Sequence, residues 1–502
     1  MKARTFSGSV TAAMQHRQRT RASSKGAVAV MFAGSLIVIM GMFGLALDLS
    51  RLYNRKAELQ NVADAAALAA ASELNGTAAG LANAAIRAKS SAELLRYQYD
   101  NATVVWMDGA LRFGDAPGST NWVGLAEAKL SPALFRYAKV ETSELDAQYS
   151  AVDMFFIQVV APALKLMSIH TRAIAGRTTS NVAPLAICAM SAAPGASRTW
   201  PGSPAIDELI EYGFRRGVAY DLMQLNPGGV TPENFIVDPF AIPVGENAAG
   251  NTSPAIVGPY VCGGTVALAK VLNAKVVVKR DFPIGTYYKQ LNSRFDQFEA
   301  KSSGAYCSPD VAPPDVNIKE YPFGSISWMS TVPEAQTAKP TDIGGRHATV
   351  ADLVPPASAG TTAPMYGPLW SFARAVPFSA WQAGQAEPAA GYASFGVDSW
   401  ATLYNPGQPV AAGYPASGTP YAASGGATFK SPSVSHKGMR NRRVLNIPLL
   451  ACPVSSTTPA VATVLGIGKF FMTVPATPTQ LSAEFGGLVS EQFIGGDVEL
   501  YP

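Results

Sequence analysis

The chain has 502 residues, of which 15 % are charged, and it contains 45 glycines and 37 prolines. That length accommodates two or three domains, and the low charge with abundant turn formers suits an extracytoplasmic, loop-rich protein better than a cytosolic enzyme. The net charge is +4, yet six cations lie within residues 1–25, so the remainder is near neutral and lacks the clustered basic face that nucleic-acid binding requires.

Lys2, Arg4, Arg17, Arg19, Arg21 and Lys25 occupy an N-terminal tail without a single acid. Residues 26–47 (GAVAVMFAGSLIVIMGMFGLAL) then run without any charge. A helix of that length spans about 33 Å, against a bilayer core of roughly 30 Å. The flank beyond mixes signs, with Asp48, Arg51, Arg55, Lys56, Glu58 and Asp64. The positive-inside bias therefore expects residues 1–25 in the cytoplasm, 26–47 as a transmembrane helix, and everything after Asp48 across the membrane. A cleaved signal peptide is the competing reading, but its apolar core is usually ~7–15 residues. After the apolar run no helix breaker occurs until Gly76, and Leu49, Leu52, Leu59, Val62, Ala66 and Ala69 mark a helical stripe. One continuous helix is expected over 26–74, its first half in lipid and its second half amphipathic.

Gly26-Ala-Val-Ala-Val-Met-Phe-Ala33, the Gly44–Asp48 run, Tyr53, and Leu59-Gln60-Asn61-Val-Ala-Asp64-Ala-Ala-Ala-Leu68-Ala-Ala-Ala71 resemble the N-terminal segment of TadG-like Flp pilus-assembly proteins. Asp48, Tyr53, Leu59, Gln60, Asn61, Asp64 and Leu68 carry the likeness. The resemblance implies the tight-adherence machinery, which builds thin adhesive pili in bacteria, with the inner membrane and pilus or assembly proteins as partners. Prepilins of that system are cut after a glycine and carry Glu at the fifth mature position. Counted from Gly26 that position is Met31, which implies an uncleaved anchor rather than a bulk filament subunit. Many TadG-like proteins also carry a von Willebrand A domain, whose metal site needs a DxSxS turn. This sequence has none, so no metal site of that type is expected.

Residues 77–96 stay helical in pattern, with Gly80 a candidate break. Short β-prone runs follow at 102–106, 111–113 and 134–142. Residues 151–160 (AVDMFFIQVV) read as a short helix, and 163–175 (ALKLMSIHTRAIA) alternate as a strand. This order suggests a small α+β module over 48–178, similar to the periplasmic module shared by TadE- and TadG-like proteins, with 178–182 as linker.

Residues 183–502 read as a larger mixed, mainly β domain, so the fold class is α+β. Residues 184–190 (PLAICAM) are a buried-strand candidate, and 264–279 mix helical and strand character. Between 355 and 431 the composition shifts to Pro, Gly, Ala, Ser and Tyr, which predicts an exposed long loop that buries little. Strands are expected again at 443–451, 461–465 and 469–474. Four cysteines beyond an export anchor suggest two disulfides. Cys188 and Cys452 lie in the strand candidates that bracket the region, so pairing them would tie its ends, and Cys262 with Cys307 would close a local loop. Four buried free thiols are the alternative.

No catalytic pattern stands out: there is no GxSxG, HExxH or Walker loop. His16, His170, His347 and His436 are scattered. Asp310 and Asp315 fall in Pro-rich loop, where carboxylates are usually solvated. No cofactor is expected, and oligomeric state stays open. The expected role is a non-enzymatic accessory component of pilus assembly or anchoring; a surface-displayed adhesin and a periplasmic enzyme are the alternatives.

Overall fold

The computed structural model describes residues 25–74, 78–97, 102–132, 135–177, 179–200, 205–239, 251–268, 271–322, 328, 341–352, 367–404, 412–457, 459–489, 494–496 and 498–501. The basic tail before Lys25 lies outside them. The first element is one unbroken helix, α1 (Lys25–Ser72). Most of its first half meets no other part of the protein: Val28, Phe32, Ile37, Met42 and Leu47 are all exposed, and only toward its end is Gly44 covered. Ser35, the one hydroxyl of that run, donates to the Phe32 carbonyl at 2.9 Å, so even its polar atom is satisfied within the helix.

The second half of α1 changes neighbours. Leu59, Val62, Ala63, Ala66, Ala67, Ala70 and Ala71 are buried at helical spacing, facing Leu81, Ala84, Ala88 and Ala92 of α2 (Ala78–Leu94). Alanines on both helices let their backbones approach closely. Gly80 lies inside α2 and does not break it. Both helices share a core with Phe113, Ala138, Val140, Ala173 and Ala175, which belong to a four-stranded antiparallel sheet. Its order is Val498–Tyr501, Arg172–Arg177, Tyr137–Glu141, Leu111–Gly114. One edge strand is thus supplied by the far end of the chain. Residues 151–160 are not one helix: Ala151–Asp153 is a strand and only Ile157–Val160 is helical. The strand expected over 163–175 is likewise split into Leu166–Ser168 and Arg172–Arg177. Short apolar runs have no decisive period; here Ala151–Asp153 pairs with Leu166–Ser168 as a small hairpin, and that pairing decides both.

The larger region is built on a seven-stranded sheet. Leu185–Cys188, Asn234–Val237, Lys275–Arg280, Ala460–Met472 and Val444–Leu450 hydrogen-bond in a closed ring of five. The 13-residue strand Ala460–Met472 closes it, pairing with Lys275–Arg280 through its first half and with Val444–Leu450 through its second. The sequence breaks expected between 465 and 469 do not occur. Gly466 continues the strand because the Tyr212 ring occupies its missing side-chain space, while Tyr212 Oη donates to Leu465 O at 2.7 Å. Successive residues serve opposite faces: Leu185 and Ile187 enter one core, Ala186 and Cys188 the other. The cysteines pair as Cys188–Cys452 and Cys262–Cys307, with Cα separations of 5.6 and 5.7 Å. The first bridge joins the strand Leu185–Cys188 to the residues just after its parallel neighbour Val444–Leu450.

The composition-based loop at 355–431 is only partly what it resembled. Residues 353–366 and 405–411 lie outside the described set. The rest has little regular structure, yet Leu369, Trp370, Trp400, Leu403, Tyr404 and Tyr421 are buried in the larger core. Trp370 stacks on Trp400 at 4.9 Å, and Phe372 on Phe471 at 5.0 Å. The aromatic content outweighed the small residues around it: each such ring removes a large apolar area from water. Asp315 is not solvated either. It is fully buried and accepts from Tyr421 Oη and from the backbone N–H groups of Asn317 and Arg443, all at 2.9–3.0 Å.

Candidate functional site: the end of the apolar helix and its collar

The residues carrying the family likeness divide by role. Leu59 is buried and Leu68 half-buried against the α1–α2 core. Gln60 Nε2 donates to Asp64 Oδ1 at 2.7 Å and to the Arg172 carbonyl at 3.1 Å, tying the helix to its sheet. Tyr53 and Asn61 face outward.

Asp48 ends the apolar half of α1 and has no exposed surface. Its carboxylate accepts three backbone N–H groups, from Phe155 at 3.0 Å and from Phe156 and Ile157 at 2.8 Å each. Burial pushes the Asp48 carboxyl up, but these three donors and the neighbouring Arg51 outweigh it and hold the group below its ordinary value. One turn earlier, Gly44 lies against the Phe156 ring; a Cβ there would stand 2.6 Å from Phe156 Cβ and Cγ. Arg51 covers the Phe155 ring at 4.3 Å and donates to the Asp153 carbonyl. A collar of chain is thereby clamped to the helix where its exposed, apolar half ends. Reading the sequence missed this contact, which joins positions over a hundred residues apart. The available signal was Met154-Phe-Phe-Ile157, a run with no polar alternation to suit a water-facing surface.

The region built on the seven-stranded sheet holds buried ion pairs. Arg215 Nε lies 3.0 Å from both Glu208 oxygens, between the rings of Trp200 and Tyr404, while Trp200 Nε1 donates to Glu208 at 2.9 Å. Arg216 bridges Glu211 and Glu387. A cavity of about 550 Å³ is lined by Arg294, Arg440, Arg442, Lys469 and Glu387. Two of these arginines are already engaged. Arg442 donates to the carbonyls of Cys262, Gly263 and Pro313, and Arg294 to those of Val261 and Leu291. They neutralise the carbonyl end of the helix Pro254–Gly263.

The histidines have separate partners: His170 meets Ser168 Oγ, His347 the Val230 carbonyl, and His436 Asp296; His16 lies outside the described residues. Glu233 approaches the Cys188–Cys452 bridge, Cys188 Sγ lying 3.8 Å from its Oε2. With both sulfurs in the bridge, that trio offers a metal one carboxylate only.

Residues 26–73, which are α1 almost to the residue, match the family model described as putative Flp pilus-assembly TadE/G-like. No curated protein and no solved structure matches the chain.

Proposed function

We propose that this chain is a non-enzymatic, membrane-anchored accessory component of Flp pilus assembly or anchoring. The observation that carries the reading is α1 itself. Its first half is exposed and uncharged, its second half is the core of a folded module, and the family match covers both. Such a helix couples the membrane rigidly to the module, because no hinge separates them. The acid-free basic tail before it supports a cytoplasmic N-terminus and an exported remainder. Two disulfides fit an oxidising compartment. A surface adhesin using the aromatic-rich 355–431 region is less well supported, since Trp370, Trp400, Tyr404 and Tyr421 are interior.

Fractionation of bacteria expressing the full chain with a C-terminal alkaline phosphatase tests this. The expected result is phosphatase activity, carbonate-resistant retention in the inner membrane, and absence from sheared pili. Ile37→Arg with Gly41→Arg adds about 2.5–3.5 kcal/mol per charge to insertion and is expected to release the protein from the carbonate-resistant fraction. An inactive, cytosolic fusion or a carbonate-soluble native protein rejects the anchored reading; recovery in sheared pili favours the adhesin.

A further inference from the structure

The collar itself is an apolar surface. Phe155, Phe156, Val159, Leu164 and Leu166 are exposed, Val159 to 80 %. The first four belong to one closed loop, because Met154 N donates to the Lys165 carbonyl at 2.9 Å, and Leu166 directly follows it. This loop cannot drift along α1: Asp48 holds three of its N–H groups, and Phe156 is seated on Gly44. Gly44 precedes Asp48 by about 6 Å along the helix axis. Its height is therefore that of the last turn of the uncharged run.

We propose that this collar is a second membrane contact, an interfacial wedge whose five apolar side chains enter the far-side boundary of the bilayer that α1 spans. The inference rests on the anchored reading of α1. Three observations choose lipid over a protein partner or open water. The surface is continuous with the exposed apolar face of α1 through the Gly44–Phe156 contact. Most of its backbone donors are satisfied in advance, which a water-poor interface favours: Asp48 takes those of Phe155, Phe156 and Ile157, while those of Val159, Ala161, Leu164 and Lys165 bond to carbonyls within the loop. Its charges are also few. Residues 153–169 contain only Asp153 and Lys165 as charged side chains, and Arg51 lies over Phe155 with its stem along the apolar surface. An interfacial segment of this kind sits ~5–10 Å into the headgroup boundary. The wedge would set how deep α1 rides and prevent the module from tilting about a single helix.

Full-length protein reconstituted in phosphatidylethanolamine–phosphatidylglycerol vesicles tests it. A fluorophore is attached at Val159→Cys or, separately, at Ile37→Cys, the native cysteines being in disulfides. Quenching is compared between lipids carrying a nitroxide near the headgroup and lipids carrying one deep in the chain. The expected result at position 159 is about threefold stronger quenching by the shallow nitroxide, with the opposite order at position 37. Adding Phe155→Ser and Leu166→Ser is expected to weaken the shallow quenching at 159 while leaving the signal at 37 intact. If the probe at 159 is unquenched by either lipid while that at 37 is quenched by the deep one, the wedge is wrong and the anchor stands. If neither probe is quenched, the anchored reading fails and the wedge with it.

Discussion

Glu484 is fully buried, held by the backbone N–H groups of Ser371, Phe372 and Ala373 at 2.7–2.9 Å. Burial pushes its carboxyl up to about 7 despite these three donors. The sign of the consequence follows from proton counting. Between the ordinary value of 4.5 and about 7, the folded chain keeps a proton that the unfolded chain has released. Stability from this group therefore falls as pH rises through that window and is level above it. Urea midpoints at pH 5, 6, 7 and 8 are expected to show the decline in the native protein and a flatter profile in Glu484→Gln; an unchanged slope in the variant would assign the effect elsewhere. Nothing near Glu484 in the sequence announced this site, because its three donors come from a segment more than a hundred residues away. Asp48 is a parallel case. Its place at the end of the apolar run was legible, but its partners at 155–157 were not.

At the scale of elements, α1 is one helix in two surroundings. The same backbone geometry serves both, since every interior helical N–H is satisfied within the helix whether lipid, water or protein lies outside. What differs is side-chain bulk. Val, Ile, Leu, Phe and Met cover the first half, and alanines line the second where α2 lies close. Ala66 and Ala70 have no exposed surface. Ala66→Leu or Ala70→Leu is expected to destabilise the N-terminal module by about 1–3 kcal/mol through overpacking, whereas Tyr53→Ala, at an outward position, should stay within about 0.5 kcal/mol. Thermal unfolding of the detergent-solubilised protein reads the difference, and equal effects at 53 and 66 would contradict the packing described. Helix boundaries were readable here because a long, strongly periodic segment carries its own evidence. The residues from 151 to 175 were not, since a turn of helix and a short strand are decided by which neighbour is available.

Across the whole molecule, a strand distant in sequence completes the N-terminal sheet. Val498–Tyr501 pairs with Arg172–Arg177 as the edge of the N-terminal sheet, and Tyr501 packs edge-on against Tyr137 at 5.3 Å. Deleting residues 498–502 is expected to expose the apolar face that Val498 covers and to loosen the first module more than the second. Hydrogen exchange should show faster exchange in Arg172–Arg177 with little change in Ala460–Met472; uniform protection in both would show that the last strand is dispensable. The Cys188–Cys452 bridge closes a separation of 264 residues, for which chain entropy alone suggests about 5.6 kcal/mol. By itself the amino-acid order determined what depends on local pattern: an uncharged helix long enough for a bilayer, its alanine-rich continuation, an even set of cysteines, and the wording of one family segment. Only the tertiary structure decided what depends on distant partners. It placed the aromatic residues of a low-complexity stretch in a core, seated 155–157 on Asp48, and returned the last strand to the first module, because burial and hydrogen-bond satisfaction are properties of neighbours that no window of sequence contains.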